Sequence, residues 1–137
     1  MNTKFELILG LSTASTKIFK TMDRCLSVHG ISFSEYLVMH ELSKMTNQSM
    51  RRIDLAEKTG MSASGITRLL NPMEKLNLVE KEQNARDARV SLVKLTGAGS
   101  ELFTYATQSV LNATDLLLEP LDEQNLELLF KALNKIR

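Results

Sequence analysis

The chain has 137 residues, room for about one domain with a buried core, and its 43% hydrophobic and 24% charged content is ordinary for a globular protein. A single cysteine excludes an intramolecular disulfide and a multi-cysteine zinc site, and two histidines leave little for catalysis or metal binding. The net charge is only +1, yet residues 44–94 hold ten Lys/Arg against six Asp/Glu, while residues 95–137 hold three against six, so the middle suits a polyanion.

Apolar stretches such as Leu116-Leu117-Leu118 are far too short to cross a bilayer. Phe5 to Leu11 faintly resembles a signal-peptide core, but Glu6 interrupts it and neither a basic n-region nor a cleavage site accompanies it. A cytoplasmic protein without membrane association is expected. No acid–base pair, no nucleophile beside its base and no glycine-rich phosphate loop stands out, so neither an enzyme nor a cofactor nor a metal is expected.

In chain order, residues 4–28 read as a long helix. Ser32-Phe33-Ser34-Glu35 is a capping box for a second, with Val38, Leu42 and Met45 at i, i+4, i+7 on its buried face. Thr46-Asn47-Gln48-Ser49 ends that helix and caps a short one from about Met50 to Thr59, which Gly60 stops. Ser62 caps the next. Two β-rich runs, Leu78–Glu82 and Val90–Leu95, flank a polar tip from Gln83 to Arg89, a hairpin pattern. Thr96-Gly97 opens a long helix to about Glu119, Pro120 breaks it, and Asp122 caps a last one. The fold expected is mainly α with a small β-hairpin wing, a single domain over residues 1–137.

Arg52 to Asn71 carries the spacing of a helix-turn-helix. Ala56 suits a close helix crossing, Gly60 permits the turn, and Ile66 and Leu69 can pack back on the first helix beside Leu55 and Met61. At about 100° per residue, Ile66, Leu69, Leu70, Met73 and Leu76 gather on one side of the second helix. Ser64, Arg68, Asn71 and Lys75 lie opposite, with Thr67 on the flank and Ser62 at the start. Small hydroxyls, an amide and cations are the groups that reach base edges and phosphates in a major groove. The same face would also serve as a solvated surface. Pro72 removes an amide that would bond the Arg68 carbonyl, which points either to a bend or to a water-facing edge.

The hairpin tip carries Arg86, Asp87 and Arg89. An extended arginine there can enter a narrow minor groove, and Asp87 suits a bidentate orienting pair; loose surface pairs are the alternative.

Taken together, these residues resemble the MarR family (multiple antibiotic resistance regulators). The resemblance rests on Ile53-Asp54-Leu55-Ala56-Glu57-Lys58-Thr59-Gly60-Met61-Ser62, on Ile66-Thr67-Arg68-Leu69, and on Met73 to Val79. Asp87-Ala88-Arg89 followed by Leu95-Thr96-Gly97-Ala98-Gly99 is its most specific part, and Ile31 to Tyr36 fits as well. It implies a homodimeric regulator of double-stranded DNA, with a winged helix-turn-helix at about residues 32–96 and dimerisation helices at about 4–28 and 97–137. Ser64, Thr67 and Arg68 would contact DNA from the recognition helix, and Asp87 and Arg89 would belong to the wing. Asn77 stands where the family usually has glycine, although asparagine also tolerates a left-handed turn.

The dimer has separate support in the sequence. Leu102, Phe103, Val110, Leu111, Leu117, Leu118, Leu126, Leu129, Phe130, Leu133 and Ile136 are more apolar surface than a small winged domain easily covers alone. A twofold dimer prefers a pseudo-palindrome with half-sites about one DNA turn apart.

The resemblance also suggests a small-molecule effector held between dimer helices and DNA-binding lobes, and a repressor released by it. Phe19, Met22, Phe33, Tyr36, Met39 and His40 are candidates to line such a pocket, though a Met and aromatic set at this spacing equally makes core. Cys25 and His29, at i, i+4, could form an activated thiolate in an oxidant sensor; an inert cysteine is the alternative. A further alternative is a winged helix that binds other proteins, which an apolar or acidic recognition face would favour.

Overall fold

The computed structural model describes residues 2–83, 86, 87 and 89–137. Helix α1 spans Thr3–Leu26 and tightens into a 3-10 turn at Ser27–His29, which Gly30 ends in the left-handed region at φ 74°. Helix α2 (Phe33–Ser43) starts on the expected capping box: Ser32 Oγ accepts from the Glu35 amide and Glu35 accepts from the Ser32 amide. Strand β1 (Ser49–Arg51) leads into α3 (Arg52–Thr59), and Gly60 at φ 74° turns the chain into α4 (Ala63–Lys75). Strands β2 (Val79–Gln83) and β3 (Ser91–Leu95) form the hairpin, followed by α5 (Gly97–Leu117) and α6 (Glu123–Asn134).

The sheet is antiparallel in the order β1-β3-β2. Val93 lies opposite Met50 on one side and Lys81 on the other. Leu26, Val38, Met39, Leu42, Leu55, Ile66, Leu70, Met73, Val93 and Leu95 make one continuous core that joins α1 and α2 to the helix-turn-helix and the wing. Ile66, Leu70 and Met73 are the expected buried stripe of α4, while Ala56, Met61 and Leu69 are half-buried against it. Thr96 and Asp122 cap α5 and α6 as expected, each accepting an amide three residues on.

Four local readings are corrected. Ser49 does not cap a helix, and no helix begins at Met50. Ser49 and Met50 are buried strand residues that pair with β3, three residues being too few to leave a period-2 signature. Helix α2 stops at Ser43, so Met45 falls in the following turn and is 42% exposed instead of core. Leu76 is 60% exposed, because the helix ends there and Asn77, at φ 60°, turns the chain away. Helix α5 ends at Leu117, not at Glu119.

The exit of α4 explains why asparagine suffices there. The Asn77 amide donates to Glu74 O and the Leu78 amide to Met73 O, the reciprocal closure that needs one left-handed residue. Among the described residues, no helix is long and apolar enough to cross a membrane.

Candidate nucleic-acid interface

Helix α4 buries Ile66, Leu70 and Met73 and turns Ser62, Ser64, Thr67, Arg68, Asn71 and Lys75 outward, all six of them exposed. Ser62, Ala63 and Ser64 at its start are exposed. Ser62 Oγ accepts from the Gly65 amide at 3.0 Å, which stabilises the helix by about 0.5–2 kcal/mol. That end of a helix favours anions. Ser64 shares a 3.3 Å contact with Ser62. Arg68 forms no ion pair with any described residue, so its guanidinium is at the disposal of a partner. Pro72 is exposed and α4 runs unbroken through it to Lys75, consistent with the water-facing reading.

Between β2 and β3, Arg86 and Arg89 are exposed and Asp87 is half-buried, whereas Asn84, Ala85 and Ala88 of the expected tip lie outside the described residues. Asp87 holds Arg89 in a bidentate fork, with Arg89 Nε to Oδ1 and Nη2 to Oδ2 both at 3.1 Å, and Oδ1 also accepts the Arg89 amide. These bonds, the side-chain ones foremost, hold the Asp87 carboxyl below the usual carboxylate range. The Arg89 side chain nonetheless stays 90% exposed, so the fork orients it without covering it.

Two residues of this region, Arg52 and Glu74, were missed by sequence reasoning. Arg52, at the start of α3, reaches Thr67 and Glu74 on α4. A contact between two helices leaves no periodic trace, and only the presence of a carboxylate and a hydroxyl seven residues apart on one face of α4 hints at it.

The six candidate pocket residues come together, but as packing. Phe19 meets Phe33 edge-on at 5.0 Å, Phe33 stacks towards Tyr36 at 6.3 Å, and Tyr36 towards His40 at 6.5 Å. Phe103 of α5, named in the sequence only as dimer surface, stacks on Tyr36 at 5.1 Å. Met22, Tyr36 and Met39 are buried, and the Tyr36 hydroxyl pairs with Thr107 at 2.8 Å. Met22 also borders a hollow of about 100 Å³ with Ile18, Thr114, Leu117 and Leu118, below the few hundred Å³ of a ligand site.

The Cys25–His29 arrangement does not form. His29 Nε2 pairs with Ser109 Oγ at 2.9 Å, and the Cys25 thiol donates to the Met22 carbonyl at 3.2 Å. Burial, helped by Asp23, pushes the Cys25 thiol above its ordinary range, the reverse of what a reactive thiolate needs.

Helix α6 buries none of its side chains within the chain: Leu128 and Phe130 (62%) stand open on it, as does Ile136 (64%) just past its end. Phe5, Leu7 and Ile8 of α1 are likewise exposed.

Residues 29–90 match the MarR family model. Over 131 residues the chain is 22% identical to the HTH-type transcriptional regulator MhqR of Bacillus subtilis (strain 168), covering 96% of this chain and 89% of that one. Its fold is similar to that of AbsC, a MarR family transcriptional regulator from Streptomyces coelicolor, at 24% identity and a TM-score of 0.89, covering 99% of this chain and 93% of that one. It is similar also to Sco3205, another MarR family regulator of that organism solved in complex with DNA, at 19% identity and a TM-score of 0.90, covering 99% and 87%. These relatives are transcriptional regulators. Residues 29–90, from the second helix up to the start of β3, are thus similar to the MarR family, and the whole chain shares the winged-helix fold of these regulators.

Proposed function

We propose that the protein is a sequence-specific DNA-binding transcriptional regulator that acts as a homodimeric repressor on pseudo-palindromic operators. The observation that carries this reading is the outward face of α4: Ser64, Thr67, Arg68 and Asn71 lie exposed on it, with Arg89 oriented on the wing. The α4 face fits a major groove, where an arginine fork bonds both acceptors of guanine, and the wing arginine fits the adjacent minor groove. An apolar or acidic face, as a protein-binding winged helix would carry, is not what α4 presents. The DNA complex of Sco3205 gives the reading a precedent in fold.

The exposed apolar residues of α1 and α6 support a second copy as their cover. A dimer lying across two successive grooves occludes the DNA it covers, which makes repression the direct consequence of binding. A small effector would act at the junction of α1, α2 and α5, where the aromatic layer joins the dimer helices to the DNA-binding lobe. Selection from a random duplex library tests the reading. An enriched inverted repeat with half-sites about one helical turn apart is expected, and recovery of no motif over the starting pool contradicts it.

A further inference from the structure

The guanidinium of Arg52 bridges two turns of the recognition helix. Its Nη1 donates to Thr67 Oγ1 at 3.4 Å and its Nη2 lies 3.6 Å from Glu74 Oε1. That carboxylate oxygen is buried and accepts no hydrogen bond of ordinary length, so the ion pair is what compensates it. The side chains of Arg52 and Glu74 are 26% and 27% exposed, enough cover to hold the bridge in place beside an open helix face. A guanidinium has donors only, so Thr67 is obliged to accept from it.

The fate of the Thr67 proton is the second observation. Thr13, Thr16, Thr104 and Thr107 each donate their hydroxyl to the carbonyl four residues back in their own helices. Among the described residues Thr67 makes no such bond. Its oxygen is engaged by Arg52 and its hydrogen is not consumed by the helix, which leaves the hydroxyl able to donate to a partner on the exposed side.

We infer that Arg52 is a specificity-determining positioning residue, fixing Thr67 as a hydrogen-bond donor towards the DNA. A free threonine hydroxyl serves as donor or acceptor and reads either. Thr67 held in this way favours acceptor edges, namely guanine O6 and N7, adenine N7 and thymine O4, and discriminates against the amino groups of adenine and cytosine. The inference rests on the DNA-binding reading and adds a polarity to one of its contacts.

The test uses the full chain and the duplex recovered from random-library selection, together with its single-base variants across one half-site. Affinities are compared for wild type, Arg52→Met, Thr67→Val and the double variant, with a melting curve for each. At the base facing Thr67, Arg52→Met is expected to reduce discrimination against amino-bearing edges about fivefold, the worth of one hydrogen bond. In the Thr67→Val background Arg52→Met should leave the base preferences as they are. Arg52→Lys, which still donates, should restore part of the discrimination. Unchanged preferences in folded Arg52→Met, or an equal shift in both backgrounds, overturn the inference, since a merely structural bridge acts regardless of the hydroxyl. A wild type with a clear motif and no Arg52 effect leaves DNA binding intact, whereas a wild type with no motif removes both.

Discussion

Gly99 sits against the carbonyl oxygen of Leu78, so close that a Cβ would fall within clashing distance of that oxygen and at 2.9 Å from the carbonyl carbon. The contact locks the first turn of α5 onto the exit of the recognition helix. Thr96 completes the lock: its Oγ1 donates to Asn77 O at 2.7 Å and accepts the Gly99 amide at 2.9 Å. Backbone cannot yield as a flexible side chain does, so Gly99→Ala should lower stability by about 1–3 kcal/mol, seen as a lower melting temperature. A melting curve superimposable on the wild type would show that the joint is looser than described.

Neither cation of the recognition helix, Arg68 or Lys75, forms an ion pair among the described residues. Arg68→Ala should weaken specific binding by about 1–3 kcal/mol while the fold and dimer persist, measured by gel shift beside sedimentation. Wild-type affinity for this variant would remove Arg68 from the reading set.

The helix-turn-helix was legible in the sequence because its signals are local. Small Ala56, turn-forming Gly60 and the Ile66–Leu70–Met73 stripe all sit within eighteen residues and follow one period. The Asp87–Arg89 fork was legible for the same reason. What escaped depends on partners far along the chain. Ser49–Arg51 becomes a strand because β3 offers an edge more than forty residues later, and Arg52 matters because Glu74 lies across a helix crossing. The aromatic set was found, but periodicity cannot distinguish a lined cavity from a packed layer, and Phe103 was needed to close the layer.

On the wing, Asp87 should remain ionised through any pH at which DNA binding is assayed. Its carboxyl is lowered by Arg89, so the fork's contribution is fully present above the ordinary carboxylate range and fades only as pH falls through the lowered value. Asp87→Asn should therefore reduce wing-dependent affinity at neutral pH, whereas wild-type affinity should show no step on Asp87's account between about pH 8 and pH 5. An acid step in that window absent from Asp87→Asn would contradict the assignment.

Cys25, with its raised thiol and its bond to Met22, should alkylate with iodoacetamide more slowly than an exposed thiol at pH 7 to 8, and Cys25→Ser should bind DNA as wild type does. Rapid alkylation accompanied by loss of DNA binding would restore the oxidant-sensing alternative.

The open apolar face of α6 should be covered in solution. Leu129→Glu with Phe130→Glu is expected to shift sedimentation from dimer to monomer at micromolar concentration, since two charges would be buried at the seam. A wild type already monomeric there would undo the dimer.

Sequence-dependent binding of DNA by α4 and the wing is open to test by fluorescence anisotropy with the selected duplex and a scrambled one of equal length, at physiological and at raised salt. A preference for the selected duplex of about a hundredfold or more is expected, with a steep loss of affinity for both as salt rises. Equal affinity for the two duplexes at both salt concentrations, or no binding to either, would contradict it.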